Sequence, residues 1–349
     1  MLKLIKKTEK RLKLILLYFR RILFAKNNFK VSFFTKMKAN LFGGYLADQY
    51  VIYDFKHNDK NEYLSEFDWY RSRYINEPFE PMMNNKIIAE EVLKQYISTP
   101  KNLCYKNKGL LTSKGEKIRE YEQVYELLQE YGSLFIKPFG KGKGMGVYRF
   151  DYTENGAQID GKDVTKEEFC QFVEKQDEWV ICETAKQSKF LDNIYDKTTN
   201  TIRFITMRNP ETNLLEVFFA VLRIGTKETI PVDNGSRGGL VCNINLETGE
   251  LSEARCLHNM GVHTHHPDSN NPIKGQVIPN WHEIKEQVLD VAREFPYFHF
   301  IAWDLLLTDD GVTVIEANNS SGVNIIQLWG GQRQGKLGDF YRAHNAIKK

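Results

Sequence analysis

The chain has 349 residues, which is enough to bury a large core and to form two or three subdomains. Its composition, 42% hydrophobic and 27% charged, excludes a disordered or fibrous protein. Its five Cys lack a CxxC spacing, which excludes a disulfide or zinc framework and is typical of cytosolic thiols, and no apolar run reaches the roughly 18 residues that a membrane span needs.

The first 40 residues form a basic segment that differs from the rest of the chain. They contain twelve Lys or Arg and one acid, Glu9, so they carry +11, which leaves −8 for residues 41–349 of a chain whose total is +3. A mildly acidic body excludes a general nucleic-acid binder. Apolar residues recur at helical spacing between the cations, which predicts an amphipathic helix: Ile5, Leu12, Ile15, Leu16, Phe19, Ile22 and Leu23. Two interpretations stay open: residues 1–30 lie on an anionic membrane surface, or the helix packs on its own domain with a solvated basic face.

Residues 41–120 are predicted to form an N-terminal helical or irregular subdomain. Residues 41–80 are rich in Tyr and Phe and indicate short helices or irregular structure. A helix is predicted from Asn85 to just before Thr99, because the apolar residues after Asn85 share one stripe.

Residues 121–190 are predicted to form a second, smaller subdomain of mixed structure. Its predicted elements are a helix at 120–130, strands at 134–138 and 146–150, a helix at 166–175 and a strand at 178–183. Between the first two strands, residues 139–146 have Gly at every second position, so the backbone of this loop can approach an anion closely. Lys137 lies inside the apolar strand just before the loop, where an isolated cation is costly unless it meets an anion. The sequence therefore indicates a phosphate site, and the alternative is a mobile surface hairpin.

Residues 191–349 are predicted to form a third subdomain with strands at 201–207, 215–224 and 239–245, a polar loop at 258–280 and a helix at 281–295. Strands and helices interleave along the whole chain, which predicts an α+β or α/β class. The four His of the polar loop match no zinc spacing and are interpreted as part of a structural or substrate-facing loop: His258, His263, His265 and His266.

The last predicted feature is a hairpin with strands at 299–308 and 312–317 around the three-residue turn Asp309-Asp310-Gly311. If Thr308 pairs with Val312, Asp304 lies directly opposite Glu316, and Asn318 follows two residues later on the same face. Like charges in opposed positions destabilise a sheet, and apolar neighbours add a desolvation cost. A divalent cation removes that conflict, and two carboxylates with an amide suit Mg²⁺ shared with nucleotide phosphates. The alternative is a solvated acidic hairpin edge.

The order of these motifs resembles the ATP-grasp superfamily. The sequence FIKP at 135–138 is followed by the glycine loop, VICE at 180–183, NTIR at 200–203, Asp304 and then Glu316 with Asn318. Further details resemble the branch called sugar-transfer-associated ATP-grasp: VDN at 232–234 with Gly238-Gly239, and HPD at 266–268 with Gly275 and Ile278-Pro279. The resemblance runs from about residue 41 to 345. It implies an α+β ATP-grasp fold, in which residues 121–190 are the small lid subdomain and 191–349 the C-terminal subdomain with the metal site, clasping ATP behind the helical N-terminal region.

The resemblance also implies roles for individual residues. Lys86 and Lys137 contact the nucleotide, and Glu183 lies at the adenine hinge with Gln187 as the expected ribose contact. Asp304, Glu316 and Asn318 hold Mg²⁺. The lid over the phosphates comprises Gly140, Lys141, Gly142, Lys143, Gly144 and Gly146.

One departure from the family pattern concerns the acyl phosphate. Some ATP-grasp ligases carry an Arg two residues before the metal Asp, and this chain has Ala302 there. If the chemistry is the same, Arg203 or Arg237 must supply that charge.

The reaction implied by the resemblance is ligation of a small-molecule carboxylate to an amine through an acyl phosphate, in the biosynthesis of a cell-surface polysaccharide such as a capsule. The expected location is the cytoplasm, at the inner face of the cytoplasmic membrane, where a lipid-linked glycan is an expected partner. Two alternatives stay open: phosphoryl transfer to a hydroxyl, and a non-catalytic nucleotide-sensing scaffold at the membrane surface.

Overall fold

The computed structural model describes residues 2–41, 43–140 and 146–348, with only the backbone for residues 2–7 and 236. The described residues form two seven-stranded antiparallel sheets with helices packed on them, together with a helical N-terminal region. This confirms the predicted α+β class.

The N-terminal region consists of short helices, as the sequence of residues 41–80 predicts. The first helix continues into a π-helical turn at Phe19–Leu23. The last helix starts at the predicted position, because the Asn85 side chain accepts hydrogen bonds from the backbone N–H groups of Ile87 and Ile88. It ends at Leu93, several residues earlier than predicted. The helices are α1 (Leu2–Tyr18), α2 (Phe33–Leu41), α3 (Ala47–Ile52), α4 (Glu66–Ser72), α5 (Pro81–Asn84) and α6 (Lys86–Leu93).

Buried polar side chains join this region to the C-terminal end of the chain. Gln49 donates from Nε2 to Asn324 Oδ1 at 2.6 Å, and the Tyr53 hydroxyl donates to the same oxygen at 2.8 Å. Gln327 donates to the Tyr53 hydroxyl and accepts from the backbone N–H of Leu64 at 2.7 Å. Because buried polar groups need partners, the N-terminal helices depend on residues near 325 for their stability.

The smaller sheet has the strand order β2-β1-β7-β3-β4-β5-β6. Two helices cover one face of it, and their apolar side chains, among them Val124 and Phe169, pack against Phe150 and Leu134. The predicted helices at 120–130 and 166–175 are confirmed. Strands β1, β2, β5 and β6 were not predicted, because with three to six residues each is too short for a clear alternating pattern. The elements are β1 (Asn102–Asn107), β2 (Leu110–Ser113), α7 (Tyr121–Tyr131), β3 (Ser133–Pro138), β4 (Tyr148–Thr153), β5 (Gly156–Ile159), β6 (Lys162–Val164), α8 (Lys166–Lys175) and β7 (Trp179–Glu183).

The larger sheet has the strand order β12-β11-β10-β9-β8-β13-β14. One helix contributes Ile284 and Val288 to the core on one side of this sheet, and the last helix places Leu337 and Phe340 in a second core with Ile205. The elements are α9 (Lys189–Ile194), β8 (Thr201–Arg208), β9 (Leu215–Ile224), β10 (Leu240–Ile244), β11 (Leu251–Cys256), β12 (Val262–His263), α10 (Trp281–Arg293), β13 (Phe300–Thr308), β14 (Gly311–Asn318), α11 (Val323–Ile326) and α12 (Lys336–Ala343).

The hairpin of β13 and β14 corrects one prediction and confirms another. The turn contains two residues instead of three, because Thr308 pairs with Gly311 and not with Val312. A β-bulge between Leu305 and Asp304 then shifts the register by one residue, so that Asp304 pairs with Glu316 as predicted. Bulges are common beside functional sites, where they redirect side chains.

Candidate active site

A cleft lies between the two sheets and contains several of the predicted nucleotide ligands. It is partly open to solvent, and its walls come from both sheets and from helix α6. The small sheet contributes Lys137 and Cys182, helix α6 contributes Lys86 and Glu90, and β14 contributes Glu316. The fold therefore brings together residues that are up to 230 positions apart in the sequence.

Asp304 is buried on β13 and is held by two arginines. Arg203 on β8 is its cross-strand partner and donates from Nε to Oδ1 at 2.6 Å and from Nη2 to Oδ2 at 3.2 Å. The remaining Arg203 nitrogen, Nη1, donates to Ser321 Oγ at 3.2 Å. Burial alone would raise the pKa of Asp304, but Arg203 and Arg223 hold it below its usual value. The carboxylate is therefore ionised at neutral pH.

Arg223 is a residue of the site that the sequence analysis missed. It lies 3.3 Å from Asp304 Oδ2 and 3.4 Å from Asp233 Oδ1, and it donates to Thr201 Oγ1. Burial would lower the pKa of Arg223, but the two carboxylates raise it. Lys137 was predicted as a site residue because it is an isolated cation in an apolar strand. Arg223 has the same kind of position in β9, so the same argument would have predicted it.

Lys86 compensates the second acid of the hairpin. Its Nζ lies 3.2 Å from Glu316 Oε1, and both side chains are largely buried at the edge of the cleft. The opposed acids Asp304 and Glu316 therefore each have a cation of the protein nearby, which removes the repulsion expected from their pairing.

Lys137 lies on the opposite wall of the cleft and has a different environment. It is half-buried, its Nζ lies 5.6 Å from the centre of the Phe135 ring, and it forms no ion pair with any residue in the described ranges. The adjacent loop returns through Gly146 at a φ of +72°, and a Cβ at that position would lie 3.1 Å from Pro138 Cγ. Gly140 is exposed, while Lys141, Gly142, Lys143 and Gly144 lie outside the described residues.

Oxygen donors suited to Mg²⁺ are present on the hairpin. Asn318 pairs with Ala302 and follows Glu316 by two residues, so both side chains lie on the same face of β14. The Asn318 amide makes no hydrogen bond with the part of the chain that the structure describes. The same part contains no cluster of three His, Cys, Asp or Glu side chains. Glu316 and Asn318 offer oxygens of the kind that Mg²⁺ binds. Both oxygens of Asp304 already face Arg203 or Arg223, so its role as a Mg²⁺ ligand stays a prediction.

Three other predicted residues have surroundings of their own. The Glu183 carboxylate accepts from the backbone N–H of Lys101 at 3.0 Å, at the end of β7. Gln187 uses its amide inside the protein: it donates to Asp192 Oδ1 at 2.8 Å and accepts from the backbone N–H of Asn200 at 3.0 Å. Arg237 is exposed at the end of a 3₁₀ turn, Gly235–Arg237. The predicted roles of Glu183 at the adenine hinge, Gln187 at the ribose and Arg237 as a source of charge for the acyl phosphate stay predictions. The internal hydrogen bonds of Gln187 argue against its role.

The buried His of the polar loop has a structural role. His266 stacks on Tyr195 with ring centres 4.2 Å apart, and its Nε2 lies 2.8 Å from the Gly225 carbonyl oxygen. Its Nδ1 accepts from the backbone N–H groups of Asp268 and Ser269, each at 3.2 Å. Both ring nitrogens are therefore used by a neutral imidazole, and burial lowers the pKa of His266.

This arrangement predicts a loss of stability as the pH falls. The unfolded chain takes up a proton on His266 near pH 6.5, whereas the folded protein resists it until a lower pH, so unfolding is favoured as the pH falls through 6.5. We expect the urea midpoint of His266→Gln to fall less between pH 7.5 and pH 5.5 than that of the natural chain. His265→Gln, at an exposed neighbour, is the control and should keep the natural slope. A His266→Gln slope equal to that of the control would contradict this assignment.

The model of the family described as sugar-transfer associated ATP-grasp matches residues 67–336. Similar solved structures include D-alanyl-alanine synthetase A from Vibrio cholerae, with 14% identity, a TM-score of 0.42, and coverage of 76% of this chain and 66% of that chain. D-alanine-D-alanine ligase from Coxiella burnetii has 14% identity, a TM-score of 0.41, and coverage of 76% and 58%. N5-carboxyaminoimidazole ribonucleotide synthetase from Thermotoga maritima has 11% identity, a TM-score of 0.40, and coverage of 76% and 50%.

The match with the family model differs in extent from the matches with individual proteins. The chain spans between half and two thirds of the length of the three solved structures. A comparison with curated protein sequences gives no match. The family match includes the cleft residues Lys86, Lys137 and Glu316 together with Asp304, and it leaves the basic segment and helix α3 outside.

Proposed function

Because the chain belongs to the sugar-transfer-associated ATP-grasp family, we propose that it is an ATP- and Mg²⁺-dependent enzyme that joins a carboxylate to an amine. The observation that carries the proposal is the cleft between the sheets. There the cations Lys86 and Lys137 and the acid Glu316 line the cleft. The strand partner of Glu316, Asp304, is buried next to it. Cations suited to phosphates and oxygens suited to Mg²⁺ therefore meet in one place.

In the proposed reaction the substrate carboxylate oxygen attacks the γ-phosphorus of ATP. The bond from that phosphorus to the bridging oxygen breaks, and ADP leaves. The amine nitrogen then attacks the acyl carbon, the carbon–oxygen bond to phosphate breaks, and the amine loses a proton as the amide forms. Chemistry of this kind needs positioning and charge neutralisation more than a side-chain nucleophile.

The residues of the cleft would divide these tasks. Lys137 and Lys86 would bind phosphate oxygens, with Glu183 at the adenine end. Asp304, Glu316 and Asn318 would hold Mg²⁺, which when bound neutralises charge on the phosphates. The glycine loop, Gly140 to Gly146, would cover the phosphates from the lid side.

Arg203 is the proposed source of positive charge beside the acyl phosphate. Ala302 is fully buried and pairs with Ile205, so the position two residues before Asp304 offers no charge. The Arg203 guanidinium lies next to Asp304 from the neighbouring strand, and its Nη1 donates only to Ser321 among the described groups. Arg237 would instead bind a substrate carboxylate from the exposed 3₁₀ turn.

The family description supports a substrate connected with sugars. We propose that the acid and the amine belong to the biosynthesis of a cell-surface polysaccharide such as a capsule, with a lipid-linked glycan as one partner. Such intermediates occur at the inner face of the cytoplasmic membrane, which would be the place of action.

A trapping assay tests the ligase proposal. The full chain with ATP, Mg²⁺ and candidate acids is expected to convert hydroxylamine to an acyl hydroxamate, with ADP formed only when the acid is present. Glu316→Gln should lower the rate about 100-fold or more, because it weakens the binding of the Mg²⁺ that would neutralise the phosphates. Glu211→Gln, at an exposed turn, is the matched control and should leave the rate unchanged. A stable phosphorylated product without hydroxamate would show a phosphotransferase, and unchanged cellular function of Glu316→Gln would favour a non-catalytic scaffold.

A further inference from the structure

Helix α1 and the first residue of the π-helical turn that follows it carry an exposed apolar stripe. Four large apolar side chains lie three or four residues apart, so they share one face of the helix. Between 48% and 61% of each side chain is exposed: Leu12 58%, Ile15 51%, Leu16 61% and Phe19 48%. Exposed apolar groups in such a row are unusual for a protein surface that meets only water.

The opposite face of α1 is attached to the body. At roughly 100° per residue, Lys10 and Leu14 lie about half a turn from the centre of the stripe, and Tyr18 lies about a third of a turn from it. The Lys10 Nζ lies 3.0 Å from Glu77 Oε2 and 4.1 Å from the centre of the Tyr74 ring. The Tyr18 hydroxyl donates to the Asn40 carbonyl oxygen. In the following π-helical turn Ile22 is fully buried.

The helix is therefore fixed on the protein with its apolar stripe directed outward. Packing on its own domain accounts for one face of the amphipathic segment. Within the described part of the chain, the only ring contact of the stripe is between Phe19 and its neighbour Tyr18, with ring centres 6.1 Å apart.

We propose that this stripe docks on an anionic lipid surface. The stripe is flanked by the exposed cations Arg11, Lys13 and Arg20, and the first 40 residues carry +11 while the rest of the chain carries −8. An apolar face bordered by cations inserts into the headgroup boundary of an anionic bilayer, where both contributions act together. Phe33 and Phe34, at the start of α2 in the same basic segment, are also exposed, at 70% and 83%. This surface goes beyond the proposed ligase activity and does not depend on it.

Electrostatic repulsion makes a second copy of this chain a less favourable partner for the stripe than an anionic lipid surface. A symmetric dimer would place the same patch of both copies face to face, and each patch lies in a segment of charge +11. No described helix is long and apolar enough to cross a bilayer, so the contact lies in the plane of the membrane surface.

Flotation with vesicles tests the apolar stripe. The full chain should float with vesicles of phosphatidylcholine and phosphatidylglycerol, and much less with phosphatidylcholine alone. Leu12→Ser combined with Leu16→Ser should weaken binding to the anionic vesicles about tenfold or more, because less apolar surface is buried. The control pair is Leu110→Ser with Leu214→Ser, which changes two exposed leucines of similar or greater exposure elsewhere and should bind like the natural chain.

The same assay tests the cations. Arg11→Gln with Arg20→Gln should weaken binding to anionic vesicles about 30-fold, at about fivefold for each charge. Lys175→Gln with Lys189→Gln removes the same charge from exposed positions of the body and should have little effect.

Three results would overturn the proposal. They are equal flotation of the natural chain and the Leu12/Leu16 variant, equal binding to neutral and anionic vesicles, and a concentration-dependent dimer that the Leu12/Leu16 variant abolishes. Circular dichroism confirms that each variant is folded. Since flotation needs no ATP and the hydroxamate assay needs no lipid, failure of one proposal is distinguishable from failure of the other.

Discussion

Replacing Asp304 with Asn is expected to lower the free energy of unfolding by about 3–5 kcal/mol and to abolish ATP turnover. The carboxylate is buried and receives two hydrogen bonds from Arg203, with Arg223 3.3 Å from its second oxygen. Removing its charge leaves a buried guanidinium uncompensated, which costs more than the ion pair itself contributes. Urea unfolding of the full chain measures the loss.

Two further variants separate the causes. Asp196→Asn breaks an exposed ion pair with Lys197 and should cost less than about 1 kcal/mol. Arg203→Met combined with Asp304→Leu removes both members of the buried pair and should recover much of the lost stability without restoring turnover. If Asp304→Asn is as mild as Asp196→Asn, the proposed electrostatic role of Arg203 and Arg223 is wrong.

Replacing Lys137 with Met is expected to lower ATP turnover by about 10²–10³-fold, because a positioned cation is lost from the phosphates. The free energy of unfolding should change by less than about 0.5 kcal/mol, since Lys137 has no acidic partner in the described ranges that would be left unpaired. Steady-state ADP release and urea unfolding measure the two quantities.

The matched control for Lys137 lies in the same sheet. Lys162→Met changes an exposed Lys of β6 and should leave turnover as it is in the natural chain. Equal turnover of the two variants would mean that Lys137 does not act on the nucleotide, and a large loss of stability in Lys137→Met would point to a structural role instead.

The charged residues of the candidate site were the easiest part of it to predict from the sequence. Lys137, Arg203 and Asp304 each interrupt an apolar strand, and a charge in such a position needs a partner. Their partners were not predictable in the same way, because Arg203 and Asp304 are 101 residues apart and meet only through the pairing of β8 with β13. Asp233 was treated as a motif residue and not as a partner of Arg223, since it lies in a loop without periodicity.

The hairpin shows a prediction that was correct for a reason that was partly wrong. The pairing of Asp304 with Glu316 was derived from a three-residue turn, whereas the chain uses two turn residues and places the extra one in a bulge. A three-residue turn without a bulge and a two-residue turn with a bulge both leave one residue unpaired between Asp304 and Glu316. The sequence pattern therefore predicts the same pairing of the two acids in either case. The choice depends on tertiary contacts such as the bridge from Thr313 to Ser98, which the sequence of the hairpin does not contain.

The bonds of Gln49 and Tyr53 to Asn324 and Gln327 affect how the protein is made. The partners are separated by 271 to 275 residues, so the first helices leave the ribosome long before their hydrogen-bonding groups exist. At roughly 5–20 residues per second, the delay is on the order of 14 to 55 s. During this interval the nascent chain presents the buried polar groups of α3 together with the basic segment. Helix α3 is therefore synthesised well before its partners and is among the last elements to reach its native contacts.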